Sequence, residues 1–290
     1  MFPDGFIYRR AESVDDAIDL LAEHSAAETV LLAGGHSLLP TMKTGLASPD
    51  VVVDISRLDD ARGIDTTDGT IEIGALTSYA AIEGSAELRR DCPVVAEAAA
   101  EVGDVQVRNA GTIGGNLAHA DPASDMTASV LAADATITVR GPDGSRSIAA
   151  EEFFQGIFET DLAEGELLTG IEVPTDAANT TSAYVKRPSP SSGYPIVGVA
   201  AAVETADDTV ENARLAVTGA TDHAVRLGAV EEALTGETLS SDTIATAAEH
   251  ATDDLGSATL MDNDRASSEF RAQLLEQYTE RALGQVSEHV

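Results

Sequence analysis

Residues 29–37 read Thr29-Val-Leu-Leu-Ala-Gly-Gly-His-Ser37, an apolar run that ends in two glycines. The run Thr29–Ala33 predicts a buried strand, and the glycine pair directly after it predicts a tight turn. Adjacent glycines permit positive φ, so successive backbone N–H groups can converge on an anion. A simple strand-ending turn is an equally good interpretation of these residues alone. Residues 33–38 are called the first glycine segment below.

A second glycine segment, residues 111–116, reads Gly111-Thr-Ile-Gly-Gly-Asn116. It lies within residues 103–125, a stretch with little periodicity and many polar groups, which predicts a long binding loop. Two such segments can hold a diphosphate from both sides. Because the chain offers few cations, we expect backbone N–H groups and hydroxyls to carry that binding.

The remaining pattern predicts two domains separated by the polar, breaker-rich residues 174–181. Three strands and three helices follow that boundary, which predicts a second, smaller α+β domain. The predicted helices are residues 13–24, 78–88, 93–102, 125–133, 150–154, 225–235, 241–251 and 266–283. The predicted strands are residues 29–33, 51–55, 70–74, 135–140, 167–173, 183–186, 196–204 and 214–219.

Composition excludes several classes of protein. Among 290 residues, 17 Lys and Arg stand against 50 Asp and Glu, a net charge of −33, which excludes nucleic-acid binding driven by phosphate contacts. Lysine occurs only at Lys43 and Lys186, so we interpret the evenly acidic chain as salt-adapted; an ordinary acidic mesophile protein is the alternative. No apolar run reaches the length of a membrane span and the N-terminus lacks a signal-peptide pattern, which predicts a cytoplasmic protein.

The cysteine count restricts the metal chemistry of this chain. Cys92 is the only cysteine, so the chain holds no internal disulfide, and it cannot by itself bind an iron-sulfur cluster or a cysteine-built zinc site. The spacing of His36, His119 and Asp121 matches no metal-ligand pattern, and Ser37 beside His36 makes no catalytic triad. We therefore predict no metal site and no catalytic residue in this chain.

Three isolated residues are further candidates. Asp125 can accept from sugar hydroxyls, and Lys186 can face a phosphate or an electron-rich ring; the alternatives are a helix cap and a solvated surface charge. Tyr194 can stack on a planar cofactor, although an aromatic residue before a strand is more often part of the core. Lys186 stands out because the chain retains so few lysines.

The motifs together resemble the FAD-binding medium subunit of aerobic carbon monoxide dehydrogenases and related molybdenum hydroxylases of the xanthine dehydrogenase family. The resemblance covers nearly the whole chain. Its motifs are residues 33–37, 103–109, 112–116, 118–122, 132–136, 152–154, 166–169 and 270–275.

The resemblance implies an α+β fold, with a two-part PCMH-type FAD-binding domain at residues 1–176 and a CO dehydrogenase flavoprotein C-terminal domain at residues 182–290. The first domain would divide into subdomains at about residues 1–56 and 57–176. The two glycine segments would hold the FAD diphosphate. The residues implied to bind FAD are Ala33, Gly34, Gly35, His36, Ser37, Leu38, Thr112, Gly114, Gly115, Asn116, His119, Asp125, Leu168, Lys186 and Tyr194.

The resemblance also implies partners and a role in electron transfer. A large subunit would hold a molybdenum-pterin cofactor, a small subunit would hold two iron-sulfur clusters of the 2Fe-2S type, and the FAD of this chain would pass electrons to an acceptor. The expected assembly is a dimer of heterotrimers. The chain departs from the family at Ala110, where an arginine is common, and in the proline-rich loop around Tyr194. The alternatives are a self-contained PCMH-type flavin oxidase and a non-catalytic nucleotide-binding module.

Overall fold

The structure is a computed structural model that describes residues 2–289. A three-stranded parallel sheet opens the fold, with the apolar strand β3 between β1 and β2. All four residues of β3 are buried, as expected for the central strand of a parallel sheet. The elements are β1 (Ile7–Arg10), α1 (Val14–Glu23), β2 (Thr29–Leu32), α2 (Leu38–Thr44) and β3 (Val51–Asp54).

An antiparallel sheet of five strands follows, in the order β4-β5-β10-β6-β7, and most of its helices lie between β5 and β6 in the chain. A two-stranded hairpin, β8 and β9, stands apart from it. The elements are β4 (Ile64–Thr67), β5 (Thr70–Gly74), α3 (Tyr79–Gly84), α4 (Ala86–Asp91), α5 (Pro93–Glu101), α6 (Val105–Ala110), α7 (Ile113–His119), α8 (Asp125–Ala132), β6 (Thr136–Gly141), β7 (Gly144–Ala149), α9 (Ala150–Phe153), β8 (Phe154–Gly156), β9 (Glu159–Thr160) and β10 (Leu167–Pro174).

The last part is a four-stranded antiparallel sheet with three helices, and the long helix α12 packs on β11 and β12. Leu215 of the sheet and Leu275 and Leu283 of the helix are fully buried in one core. The elements are β11 (Thr180–Pro188), β12 (Pro195–Ala206), β13 (Thr209–Thr218), β14 (Val225–Arg226), α10 (Gly228–Leu234), α11 (Ser241–Ala248) and α12 (Ser268–Ser287). The α+β prediction is confirmed.

The predicted long loop at residues 103–125 is wrong, because most of it forms α6 and α7. Each of these helices is about two turns long, too short to show a clear 3.6-residue period. Their N-caps stabilise them instead: the Asp104 side chain accepts from the Val107 N–H at 2.9 Å, and the Thr112 hydroxyl accepts from the Gly115 N–H at 3.3 Å. The predicted helix at 78–88 is also two helices, divided at Ser85, which caps the second.

The pattern missed six strands. Three are the short strands β8, β9 and β14, the last of which occupies the first two residues of the predicted helix 225–235. The other three, β1, β4 and β7, each lie at an edge of a sheet. Every residue of β1 is exposed, and β4 and β7 each bury at most one residue. Edge strands of this kind lack the alternation of apolar and polar residues by which a strand is predicted. In the part of the chain described, 2–289, none of the helices is both long and apolar enough to cross a membrane.

Candidate functional site

A cavity of about 450 Å³ lies where the first sheet meets the second, and both glycine segments line it. A neighbouring cavity of about 280 Å³ shares His36, Ser37 and Tyr79 with it. The predicted residues around the larger cavity are Ala33, Gly34, Gly35, His36, Ser37, Leu38, Thr112, Gly114, Gly115, His119 and Leu168. The predicted residues around the smaller one are His36, Ser37, Asn116, Asp125 and Tyr194. The fold therefore brings together all the predicted site residues except Lys186 as linings of two adjoining cavities.

The first glycine segment joins the end of β2 to the start of α2 and exposes its backbone to the larger cavity. Gly35 has a φ of +74°, the left-handed conformation that glycine adopts without strain. Among residues 2–289, no group accepts a hydrogen bond from the backbone N–H groups of residues 34–38. Five successive donors without protein partners form the kind of nest that binds an anion.

The second glycine segment uses its backbone differently. The N–H of Ile113 donates to the Thr77 carbonyl at 3.1 Å, and the N–H of Gly114 donates to the Ala75 carbonyl at 2.8 Å. The Gly115 N–H donates to the hydroxyl oxygen of Thr112, the N-cap residue of α7. The N–H groups of Ile113, Gly114 and Gly115 therefore already have acceptors within the fold, whereas none accepts from the Thr112 N–H among residues 2–289. Binding of a diphosphate by this segment stays a prediction. The other available polar groups of the segment are side chains, above all Thr112 and Asn116.

The first glycine of each pair permits close packing of one backbone on another. A Cβ on Gly34 would contact the Ala110 carbonyl oxygen and lie 2.8 Å from the Gly111 Cα, so the two segments touch there. A Cβ on Gly114 would lie 2.6 Å from the Cβ of Ala75. Real Cβ atoms do not approach other carbons so closely. Glycine at these two positions brings α7 against Ala75, the residue after β5, and the first segment against the end of α6.

Gly115 has a different neighbourhood from Gly114. A Cβ there would lie 2.9 Å from the Thr112 hydroxyl oxygen and 3.4 Å from the Cβ of Ala33, in the first glycine segment. Ala33, Thr112 and Gly115 all line that cavity. The missing side chain at Gly115 therefore keeps a gap open between the two segments.

Asp125 and Lys186 form a buried ion pair beside the smaller cavity. Lys186 Nζ lies 2.9 Å from Asp125 Oδ1, and each side chain is only 5% exposed. The same Asp125 oxygen accepts from the Tyr184 hydroxyl at 2.8 Å. Burial raises the pKa of Asp125 to about 6, although Lys186 and Tyr184 favour its charged form. The two alternative interpretations are wrong. Asp125 is not the helix cap, because Ser124 is the N-cap residue of α8, and Lys186 is not a solvated surface charge, because its side chain is buried.

Lys186 also holds the loop that carries Tyr194. Its Nζ donates to the Gly193 carbonyl at 3.0 Å and to the Glu101 carbonyl at 2.6 Å. Tyr194 itself is 43% exposed, and desolvation by partial burial raises its pKa. Its backbone carbonyl accepts from the Ser189 N–H at 2.7 Å, so the loop is closed on itself. Stacking of Tyr194 on a cofactor ring stays a prediction.

The sequence analysis missed two tyrosines of the site. Tyr79 lines both cavities, and burial raises its pKa despite its hydrogen bond with Asn116. Tyr184 is buried and donates to Asp125. Tyr184 and Lys186 stand two residues apart in β11, on one face of the strand, which is a signal that could have linked them. Tyr79 begins a short helix and carries no such signal.

His119 lies at the end of α7, where its ring meets the Phe158 ring at a centroid distance of 5.0 Å. It lines the larger cavity with His36. Within residues 2–289, no group of three or more His, Cys, Asp or Glu side chains is arranged to hold a metal ion. The chemistry that the site supports is recognition of an anionic, elongated ligand across two cavities.

Known proteins resemble this chain over its whole length. Residues 4–176 match the family described as the FAD binding domain in molybdopterin dehydrogenase, and residues 182–286 match the CO dehydrogenase flavoprotein C-terminal domain. The chain is 36% identical to the glyceraldehyde dehydrogenase medium chain of Sulfolobus acidocaldarius over 99% of this chain and 100% of the relative. It is 34% identical to the carbon monoxide dehydrogenase medium chain of Hydrogenophaga pseudoflava over 98% and 97%.

Two solved structures extend this similarity to three dimensions. Carbon monoxide dehydrogenase from Hydrogenophaga pseudoflava superposes with a TM-score of 0.94 at 35% identity, covering 99% of each chain. Quinoline 2-oxidoreductase from Pseudomonas putida superposes with a TM-score of 0.92 at 27% identity, covering 100% of this chain and 99% of the other.

Proposed function

The chain belongs to the family of FAD-binding medium subunits of the molybdenum hydroxylases of the carbon monoxide and xanthine dehydrogenase type, and from this premise we propose how its residues hold FAD. It is an electron-transfer subunit and an oxidoreductase component; a self-contained flavin oxidase is not favoured. Bound FAD stores the electrons that arrive from the iron-sulfur clusters of a partner until an acceptor takes them. The protein binds, orients and shields that cofactor.

The observation that carries the site assignment is the run of free backbone donors at residues 34–38 in the larger cavity. We propose that these N–H groups bind the FAD diphosphate, since a nest of backbone donors needs no cationic side chain. Thr112 and Asn116 would add side-chain hydrogen bonds from the opposite side. The rest of the cofactor would follow the cavities from Leu168 and His119 to Tyr194.

The buried pair Asp125–Lys186 has a positioning role in this proposal. Lys186 holds the Gly193 carbonyl and so fixes the Tyr194 loop against the body of the protein. Asp125 lines the smaller cavity, where it would meet polar atoms of the cofactor. Tyr79 lines both cavities and would exclude water between them.

We further propose the biological setting of this subunit. The excess of acid and the presence of only two lysines support a salt-adapted protein. The single cysteine, buried Cys92, is in keeping with the cytoplasm, where disulfides are rare. The proposed assembly is a dimer of heterotrimers with the large molybdenum and small iron-sulfur subunits. The proposed domains are residues 1–176 and 182–290; the residues between them, 177–181, include the first two residues of β11.

The visible absorption spectrum of the tagged chain, isolated from its host in molar salt, tests the proposed function. We expect flavin bands on a broad iron-sulfur background, because the partner subunits copurify. The mass of the isolated complex then reports the proposed assembly. A colourless preparation would contradict the FAD assignment.

The substitution Gly115→Ala tests the site assignment. Its methyl group would fill the gap between Thr112 and Ala33, so we expect FAD to be lost from a folded protein. Gly84→Ala is the matched control, since a Cβ there meets no atom within 4 Å. Full FAD occupancy in Gly115→Ala would contradict the placement of the cofactor between the two segments.

A further inference from the structure

A third cavity, of about 220 Å³, lies on another side of Tyr194. Of the residues assigned to FAD, only Tyr194 lines it, and Tyr194 also lines the smaller of the two site cavities. Ile157, Phe158 and Pro195 supply apolar lining, while Arg265 and Arg271 supply cationic lining. The cavity is therefore apolar in part and cationic in part.

Arg271 is a buried cation without an acidic partner. Its side chain begins on α12 and the residue is only 3% exposed. Its Nη1 donates to the carbonyls of Ile196 (2.7 Å) and Gly219, and its Nη2 donates to Asn263 Oδ1 at 3.1 Å. The Nε atom has no hydrogen-bond partner among residues 2–289. The acceptors of Arg271 are neutral oxygens, and Asp262 acts on it only without an ion-pair contact, so its positive charge is not neutralised by direct contact and an anion in the cavity would stabilise it.

Arg265 brings a second positive charge to the same cavity. Its backbone N–H donates to Asn263 Oδ1 at 3.0 Å, the same oxygen that Arg271 uses. Neither arginine is ion-paired with a carboxylate in the described part of the chain, although acidic residues outnumber basic ones 50 to 17. The carboxylate in the cavity lining is Asp121, whose Oδ1 accepts from the Ala123 N–H at 2.9 Å. Two unpaired arginines at one cavity in such a chain favour an anionic ligand.

We propose that this cavity binds a small-molecule electron acceptor that has an unsaturated ring and an anionic group, with the anion on Arg265 and Arg271 and the ring against Phe158 and Tyr194. The proposal rests on the proposed function, because Tyr194 lines both this cavity and the smaller cavity assigned to the cofactor. Reduction of such a ring takes two electrons and two protons, which the reduced cofactor of this subunit supplies as it returns to the oxidised form. An acidic protein acceptor is disfavoured, since the chain itself carries a net charge of −33.

The test compares an anionic and a neutral acceptor on the FAD-loaded complex. The flavin is reduced photochemically, so no substrate is needed, and its reoxidation is followed by stopped flow at constant ionic strength. The acceptors are dichlorophenolindophenol, which is anionic at neutral pH, and a neutral benzoquinone. Arg265→Gln is the variant, because Arg265 is exposed and its loss leaves the core intact; Arg9→Gln, at an exposed position of β1 outside the three cavities, is the control for charge.

We expect the dye concentration for half-maximal reoxidation to rise about fivefold in Arg265→Gln and to stay unchanged in Arg9→Gln. The neutral quinone should react equally with all three proteins. Equal dye kinetics in Arg265→Gln and the wild type would overturn the proposal. So would equal slowing of both acceptors, or a loss of FAD from Arg265→Gln, which would assign the cavity to the cofactor instead.

Direct binding of the oxidised dye to the full chain, measured by equilibrium dialysis, separates this inference from the proposed function. If the wild-type chain contains no flavin, the proposed function alone is contradicted. In that case the dye should still bind the wild-type chain more tightly than the Arg265→Gln chain. If the chain contains flavin but binds the dye no better than Arg265→Gln does, this inference alone fails.

Discussion

The two glycine segments are similar in composition, but they use their backbones in opposite ways. In the first, the N–H groups of residues 34–38 have no acceptor among residues 2–289. In the second, Ile113 and Gly114 donate to the carbonyls of Thr77 and Ala75, which fastens α7 to the second sheet. A glycine pair beside polar residues therefore indicates close backbone packing at least as much as it indicates ligand binding. We therefore expect the first segment to contact a ligand through backbone N–H groups and the second segment to contact it mainly through side chains.

The contact between the two segments should give the largest effect. Gly34→Ala would place a methyl group against the Ala110 carbonyl and the Gly111 Cα, both of which are backbone and cannot rotate away. We expect the free energy of unfolding to fall by about 3 kcal/mol or more, together with loss of FAD. Urea unfolding followed by circular dichroism measures the free energy of unfolding, with Gly84→Ala as the control. A stable Gly34→Ala protein would show that the segments do not pack as described.

The ion pair behind the second segment should give the next largest effect. Lys186→Met leaves Asp125 buried without its cation, so we expect the free energy of unfolding to fall by about 3 kcal/mol at pH 8. The only other lysine, Lys43, is exposed in α2, and Lys43→Met is the matched control. Urea unfolding of both variants gives the comparison.

The pH dependence of the Lys186→Met effect has a definite sign. Because the folded-state pKa of Asp125 is raised to about 6, its neutral form favours folding at low pH, and this contribution is lost as pH rises through 6. Without Lys186 that pKa rises further. The stability difference from the wild type should therefore shrink as pH falls from 8 to 5. An equal loss at both pH values, or a loss no larger than that of Lys43→Met, would contradict the buried pair.

The free donors of the first segment depend on the left-handed conformation of Gly35. Gly35→Ala should reduce the free energy of unfolding by about 1 to 2 kcal/mol and weaken FAD binding, because relief of the strain turns the N–H groups away. Gly45→Ala is the control for backbone strain, with a φ of +78° and no atom within 4 Å of a Cβ, whereas a Cβ on Gly35 would also lie 2.9 Å from Leu39 Cδ1. Gly45→Ala should therefore lose less stability than Gly35→Ala and keep its FAD. Equal FAD affinity in the two variants would argue against an anion nest at residues 34–38.

The smallest effect should come from a single side chain of the second segment. Asn116→Ala removes an amide that lines the smaller cavity and contacts the Ser124 hydroxyl, so we expect FAD affinity to fall about fivefold, or about 1 kcal/mol. Asn109→Ala, on the exposed part of α6, is the control. Fluorescence titration of the apoprotein with FAD measures both. An unchanged dissociation constant would leave the second segment as scaffold only.

The sequence by itself determined the elements that bury apolar residues and the motifs that identify the family. The runs Thr29–Leu32 and Val51–Asp54 form strands as expected, because a buried apolar run is recorded directly in the order of residues. The edge strands β1, β4 and β7 were missed. Most of their side chains are exposed, so these strands are held by backbone pairing, which leaves no apolar pattern in the sequence.

Only the tertiary structure decided which of the predicted site residues act through backbone and which through side chains. The acceptors of the Ile113 and Gly114 N–H groups come from residues 75 and 77, and the partners of Lys186 come from residues 101, 125 and 193. Such pairings join segments distant in the chain, and a hydrogen bond or an ion pair requires only that two groups meet in space. A local sequence pattern shows which hydrogen-bond donors are present, whereas the tertiary fold determines which acceptors they meet.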